Sequence, residues 1–111
     1  MNNIMIIGGH KAVIKYDPEI DMFRGEFVNL SGGADFYAAD VNGLKTEGSL
    51  SLKIYLEACK EKGIAPYKSY SGRFNLRISA DLHAAATAAA SAEGKSLNTF
   101  IADAIAKQVQ A

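Results

Sequence analysis

The stretch that most constrains this chain is Gly72-Arg73-Phe74-Asn75-Leu76-Arg77-Ile78-Ser79. Side chains alternate across a strand, so Phe74, Leu76 and Ile78 share one face and Arg73, Asn75 and Arg77 the other. Two helical patterns follow. Ser79 suits an N-cap, with Asp81 in the first turn, where the helix dipole favours negative charge. Leu82, Ala85, Ala86 and Ala89 give that helix a narrow face of small residues, and the alanine-rich run has high helix propensity. Gly94 ends it. Ser96 starts another helix with the apolar stripe Leu97, Phe100, Ile101, Ala104, Ile105 and Val109.

A β-α-α unit of forty residues buries too little surface to hold a core alone, and its single strand leaves backbone groups unpaired. Both deficits vanish if two chains pair their strands antiparallel and interlock their helices. The spacing therefore predicts a homodimer with Phe74, Leu76, Ile78, Leu82, Leu97, Phe100, Ile101 and Ile105 in its core. The two-stranded ribbon fits the DNA major groove and presents Arg73, Asn75 and Arg77 twice. Arginine and asparagine are the side chains best shaped for guanine and adenine edges, and a twofold protein predicts an inverted-repeat operator. The alternative is that these three side chains form the solvated face of an edge strand.

Charge adds little to the DNA reading. Twelve Lys and Arg balance twelve Asp and Glu, and the sequence pI is about 6.7. Residues 1–71 carry eight basic against nine acidic side chains, and residues 72–111 carry four against three. A broadly basic nucleic-acid binder is excluded, so contact must come from local placement.

Before residue 72 the pattern is different. Lys11 to Tyr16 reads as a strand closed by the turn Asp17-Pro18-Glu19-Ile20-Asp21, Phe23 to Leu30 as a second, and Asp35 to Ala38 as a third after Ser31-Gly32-Gly33. Val41, Leu44, Gly48, Leu52, Tyr55, Leu56 and Cys59 then recur at helical spacing over about six turns, between an Asp40 N-cap and Gly63. Gly43 and Gly48 weaken that helix, and Gly48 on the stripe points to close approach of helix and sheet. Residues 64–71, with Pro66 and no periodicity, read as a linker. The organisation is α+β: a β-β-β-α module over 1–63, a linker over 64–71 and a β-α-α module over 72–111.

Cys59 is the only cysteine, which excludes an intrachain disulfide and suits a small packed side chain in a reducing compartment. The apolar run Ile4-Met5-Ile6-Ile7 is too short for a signal-peptide core or a membrane span. These features predict a soluble cytoplasmic protein with no membrane contact.

The segment Arg73-Phe74-Asn75-Leu76-Arg77, with the Gly94-Lys95-Ser96-Leu97-Asn98 turn and the helix lengths, resembles the ribbon-helix-helix family of Arc- and MetJ-type repressors. The resemblance implies base contacts from Arg73, Asn75 and Arg77. It also implies a phosphate held by the helix start at Ser96, Leu97 and Asn98, a helix N-terminus being an anion site. Lys95 is either a further phosphate contact or a solvated turn residue.

The whole chain resembles HicB antitoxins. The shared features are the His10-Lys11-Ala12-Val13-Ile14 strand, the acidic turn before Phe23-Arg24-Gly25-Glu26-Phe27, the helix ending Tyr55-Leu56-Glu57-Ala58-Cys59, and the join Pro66-Tyr67-Lys68-Ser69-Tyr70-Ser71-Gly72. That resemblance implies a partial RNase H-like N-terminal module that binds and occludes a small HicA-type mRNA-cleaving toxin. It also implies a C-terminal ribbon-helix-helix module that represses the protein's own operon. The alternative is a stand-alone transcriptional regulator with no toxin. Gly43 and Gly48 depart from the better helix formers usual in the family's long helix.

No catalytic residue, metal ligand or cofactor is expected. Asp17, Glu19, Asp21, Glu26 and Asp35 cluster around one turn and one alternating strand, whereas metal-dependent hydrolysis needs carboxylates converging from different strands. Facing a basic toxin surface suits them better. His10 and His83 are isolated, with no second ligand at metal spacing.

Overall fold

A computed structural model describes residues 3–110. The chain divides into two compact units, one ending at Ser71 and the other beginning at Gly72. In the first unit, β1 (Ile4–Ile7), β2 (His10–Asp17), β3 (Met22–Phe27) and β4 (Asp35–Ala38) form an antiparallel meander in sequential order. The helix α1 (Val41–Lys62) follows. The architecture is α+β, but the expected three strands are four. The addition is Ile4–Ile7, which pairs with β2 from Ile4↔Val13 to Ile7↔His10. Gly8 and Gly9 join the two strands at φ 56° and 80°, the conformation a two-residue hairpin loop needs.

The core lies between one face of the sheet and α1. Ile7, Ala12, Phe27, Phe36 and Ala38 come from the strands, Leu30 and Ala34 from the β3–β4 connection, and Leu44 and Leu52 from the helix. Asp40 caps α1 by accepting a 2.6 Å hydrogen bond from the Gly43 N–H, and Gly63 closes it in the left-handed region. Gly48 lets the helix approach closely: a Cβ there would stand 2.5 Å from Ile7 Cδ1 and 3.1 Å from the Phe36 ring. Gly25, opposite Phe36 in the β3–β4 register, is covered by that ring. Spacing puts Val41 on the buried stripe, and the structure differs. It is 56% exposed, because it is the first residue of the helix.

The opposite face of the sheet carries Arg24 beside Glu26 at 3.2 Å and Asp35 at 2.5 Å. Residues 64–71, expected to be a linker, lie within the first unit and hydrogen-bond to it. Tyr67 forms an antiparallel bridge with Leu30.

The second unit holds α2 (Ala80–Ala92) and α3 (Leu97–Gln110). Ser79 Oγ accepts from the Leu82 N–H at 3.1 Å, and Ser96 Oγ from the Thr99 N–H at 3.1 Å, so both expected caps form. Gly94 at φ 68° ends α2, with the Lys95 N–H donating to Ala90 O and the Gly94 N–H to Ser91 O. This double closure satisfies carbonyls that the helix end would otherwise strand. Residues 72–79 form no strand. A strand exists only through pairing, and neither α2 nor α3 offers a sheet edge. Among the described residues, no helix is long and apolar enough to cross a membrane.

Candidate nucleic-acid interface and self-association face

The C-terminal unit is built around a deficit. Its single buried hydrophobic residue among those described is Ala90, which the Leu82-Ala85-Ala86-Ala89 face did not include. Phe74 is 70% exposed, and Leu76, Leu82, Ile105 and Val109 are exposed with it. Ile78, Leu97, Phe100 and Ile101 are half-buried. Of the eight residues expected in a dimer core, none is buried within one chain.

Three of these exposed side chains, Phe74, Leu76 and Ile105, line one groove. Residues 72–76 face Asn98, Ile101, Ala102, Ile105 and Ala106 of α3 across an open groove of about 910 Å³. One wall is the segment read as a ribbon strand, and the other is a face of α3 that shares Ile101 and Ile105 with the expected apolar stripe. Ala102 and Ala106 lie outside the stripe that the spacing predicts. Their signal was present, since Asn98, Ala102 and Ala106 recur every four residues and lie on one face.

The polar candidates take different positions. Arg73, Asn75 and Arg77 are exposed. At the start of α3, Ser96 Oγ takes the Thr99 N–H, while Leu97 and Asn98 occupy the first turn, whose N–H groups have no partner within the helix. Lys95 is engaged inside the unit: its Nζ lies 2.8 Å from Asp103 and 3.8 Å from Glu93. The ammonium hydrogen bond, followed by its charge, holds the Asp103 carboxyl below its ordinary range, and the same partner raises Lys95.

Asp103 has its folded pKa depressed, so its contribution is present above the usual carboxylate range near about 4 and is lost as pH falls through the lower folded value. Lys95→Met is expected to return the Asp103 midpoint toward the ordinary value. A carboxyl-carbon NMR titration reads this; an unmoved midpoint contradicts the pairing. Because both side chains keep more than a third of their surface in solvent, the accompanying change in stability is small.

In the first unit the acidic residues do not converge. Asp17 Oδ1 accepts from the Glu19 N–H within the β2–β3 turn, and Asp21 Oδ1 accepts from the Tyr16 hydroxyl at 2.6 Å, raising that phenol. Glu26 and Asp35 both bind Arg24. His10 hydrogen-bonds Gly8 O and the Tyr67 hydroxyl, and His83 is exposed on α2. Among the described residues, no group of three His, Cys, Asp or Glu side chains is placed to hold a metal ion.

These features define a two-unit α+β protein: a helix-covered antiparallel meander, followed by a helical pair with an uncovered apolar groove. The model of the HicB family matches residues 55–105, from the last turns of α1 through most of α3. The matched stretch includes residues on both sides of the Ser71–Gly72 junction of the two units. No curated protein and no solved structure matches the chain.

Proposed function

We propose that the protein is a dimeric antitoxin that neutralises a HicA-type mRNA-cleaving toxin and represses its own operon. One observation carries the dimeric part. The C-terminal unit leaves Phe74, Leu76 and Ile105 in solvent along a groove and exposes Leu82 and Val109 as well, and its amino-terminal segment has no strand beside it. Exposed apolar area of this kind marks a binding surface, and the occupant that also supplies the missing strand is a second copy. Pairing the two copies of residues 72–79 forms a ribbon-helix-helix module. Phe74, Leu76 and Ile78 turn inward, and Arg73, Asn75 and Arg77 turn toward base edges. The first turn of α3, at Ser96, Leu97 and Asn98, then grips phosphate. Lys95 contributes less, because Asp103 already holds it.

The HicB family match supports the antitoxin role. The meander and α1 form the toxin-binding module, a partial RNase H-like fold in this reading, and act by occlusion rather than catalysis. The acidic β2–β3 turn offers charge complementary to an RNA-binding toxin surface. Co-expression tests the role. A small basic protein encoded beside this gene is expected to arrest growth alone and to be harmless when this chain is present. Persistent arrest contradicts antitoxin action and leaves the stand-alone regulator.

A further inference from the structure

Residues 64–70 connect the two units, yet they are docked on the first one by a ladder of directional contacts. The Ser31 N–H donates to Pro66 O at 2.9 Å and the Lys68 N–H to Asn29 O at 3.0 Å, on either side of the Leu30–Tyr67 bridge. Side chains reinforce the backbone pairing. Tyr55 donates its hydroxyl proton to Pro66 O at 2.8 Å while accepting from the Gly32 N–H, and Ser31 Oγ donates to Ala65 O. Tyr70 donates to Asn29 Oδ1 at 2.9 Å. Tyr67 stacks on His10 with ring centres 5.4 Å apart and shares a 2.8 Å hydrogen bond with its Nε2.

What is missing from this attachment is apolar burial. Tyr67 is 48% exposed, Tyr70 is 68% exposed and Ile64 is 52% exposed. A segment held by exposed hydrogen bonds, with little buried surface, belongs to the low-stability end of a fold and opens without unfolding the rest. Both ends are equipped for such opening, since Gly63 and Gly72 take φ 66° and 85°, where a side chain would be strained.

We propose that residues 64–70 are a releasable strap that sets the length of tether between the two units. Docked, the strap anchors the chain as far as Tyr70, and about three residues, or roughly 10 Å, lead to Arg73. Released, the anchor retreats to Gly63 and about ten residues, up to roughly 35 Å, become available. A partner that pairs with the Asn29–Ser31 backbone competes with the strap and lengthens the tether, which couples events on the first unit to the reach of the second. This coupling stands apart from the antitoxin reading and holds for any partner that pairs with the Asn29–Ser31 backbone.

Trypsin reports the strap directly, because Lys68–Ser69 lies within it. In the full-length protein, Tyr67→Ala/Tyr70→Phe is expected to raise cleavage at this bond at least about tenfold. Amide exchange at Ser31 and Lys68 should accelerate, α1 amides should be unchanged, and the radius of gyration from solution scattering should rise. Tyr55→Phe keeps the ring, loses the hub hydroxyl and should act in the same direction. Equal cleavage of all three proteins overturns the strap. So does faster exchange throughout α1 in both variants. Faster cleavage with an unchanged radius overturns its control of the tether.

Discussion

Alanine at Arg73, Asn75 and Arg77 together is expected to abolish sequence-specific DNA binding without changing the association state. The separation follows from alternation. These side chains share one face of the segment, and Phe74, Leu76 and Ile78, which stay intact, form the other. Each good base contact is worth about 1–3 kcal/mol of discrimination. Two copies supply six, so even about 1 kcal/mol each falls within the roughly 4–10 kcal/mol that separates specific from non-specific binding. The balanced charge of the chain leaves no broad electrostatic reserve to conceal the loss. Fluorescence anisotropy at fixed salt, on operator and scrambled duplexes, should find the two affinities equal in the triple variant. Retained preference for the operator would place the reading surface elsewhere.

Gly25→Val is expected to destabilise the N-terminal unit by about 3 kcal/mol, the upper end of ordinary overpacking. The cause is not backbone conformation. The position faces α1, and the buried Phe36 ring occupies the space that a Cβ would take. That ring has little room to retreat, since it packs against Phe27 at 5.2 Å between centroids and lies beneath Gly48. Gly33 gives the contrast: nothing lies within 4 Å of a Cβ there, so Gly33→Ala should be nearly neutral. Urea unfolding followed by circular dichroism distinguishes the two. A wild-type midpoint for Gly25→Val would mean that Phe36 rotates away freely.

The features legible in the sequence were those fixed by local chemistry. Asp40, Ser79 and Ser96 were readable as caps because a capping side chain meets an N–H only three residues ahead. The approach at Gly48 was readable because a glycine on an apolar stripe has few other uses. β1 has a signal of its own, since two glycines between extended apolar runs mark a hairpin, but the four-residue apolar run Ile4–Ile7 also has the look of a targeting segment, which masks it. The docking of residues 64–71 was hidden for a different reason. It depends on backbone pairing with the non-periodic Asn29–Ser31 loop, more than thirty positions away, which leaves no pattern in either segment.

The candidate site was partly legible in the same sense. Its polar face and helix starts follow from alternation and capping. The commitment of Lys95 to Asp103 depends on how α3 folds back beside the turn, which spacing alone did not reveal. Residues 72–79 differ again. Their strand character is a property of two chains, and one chain by itself leaves them without a strand neighbour.

That last point makes the association state of the full-length protein the most direct measurement. Sedimentation equilibrium at micromolar concentration is predicted to give twice the 11.8 kDa mass of one chain. Phe74→Asp/Leu76→Asp should shift it to monomer and abolish DNA binding at the same time. A wild-type chain that sediments as a monomer with α2 and α3 folded would contradict the shared ribbon, and with it the proposed mode of reading DNA.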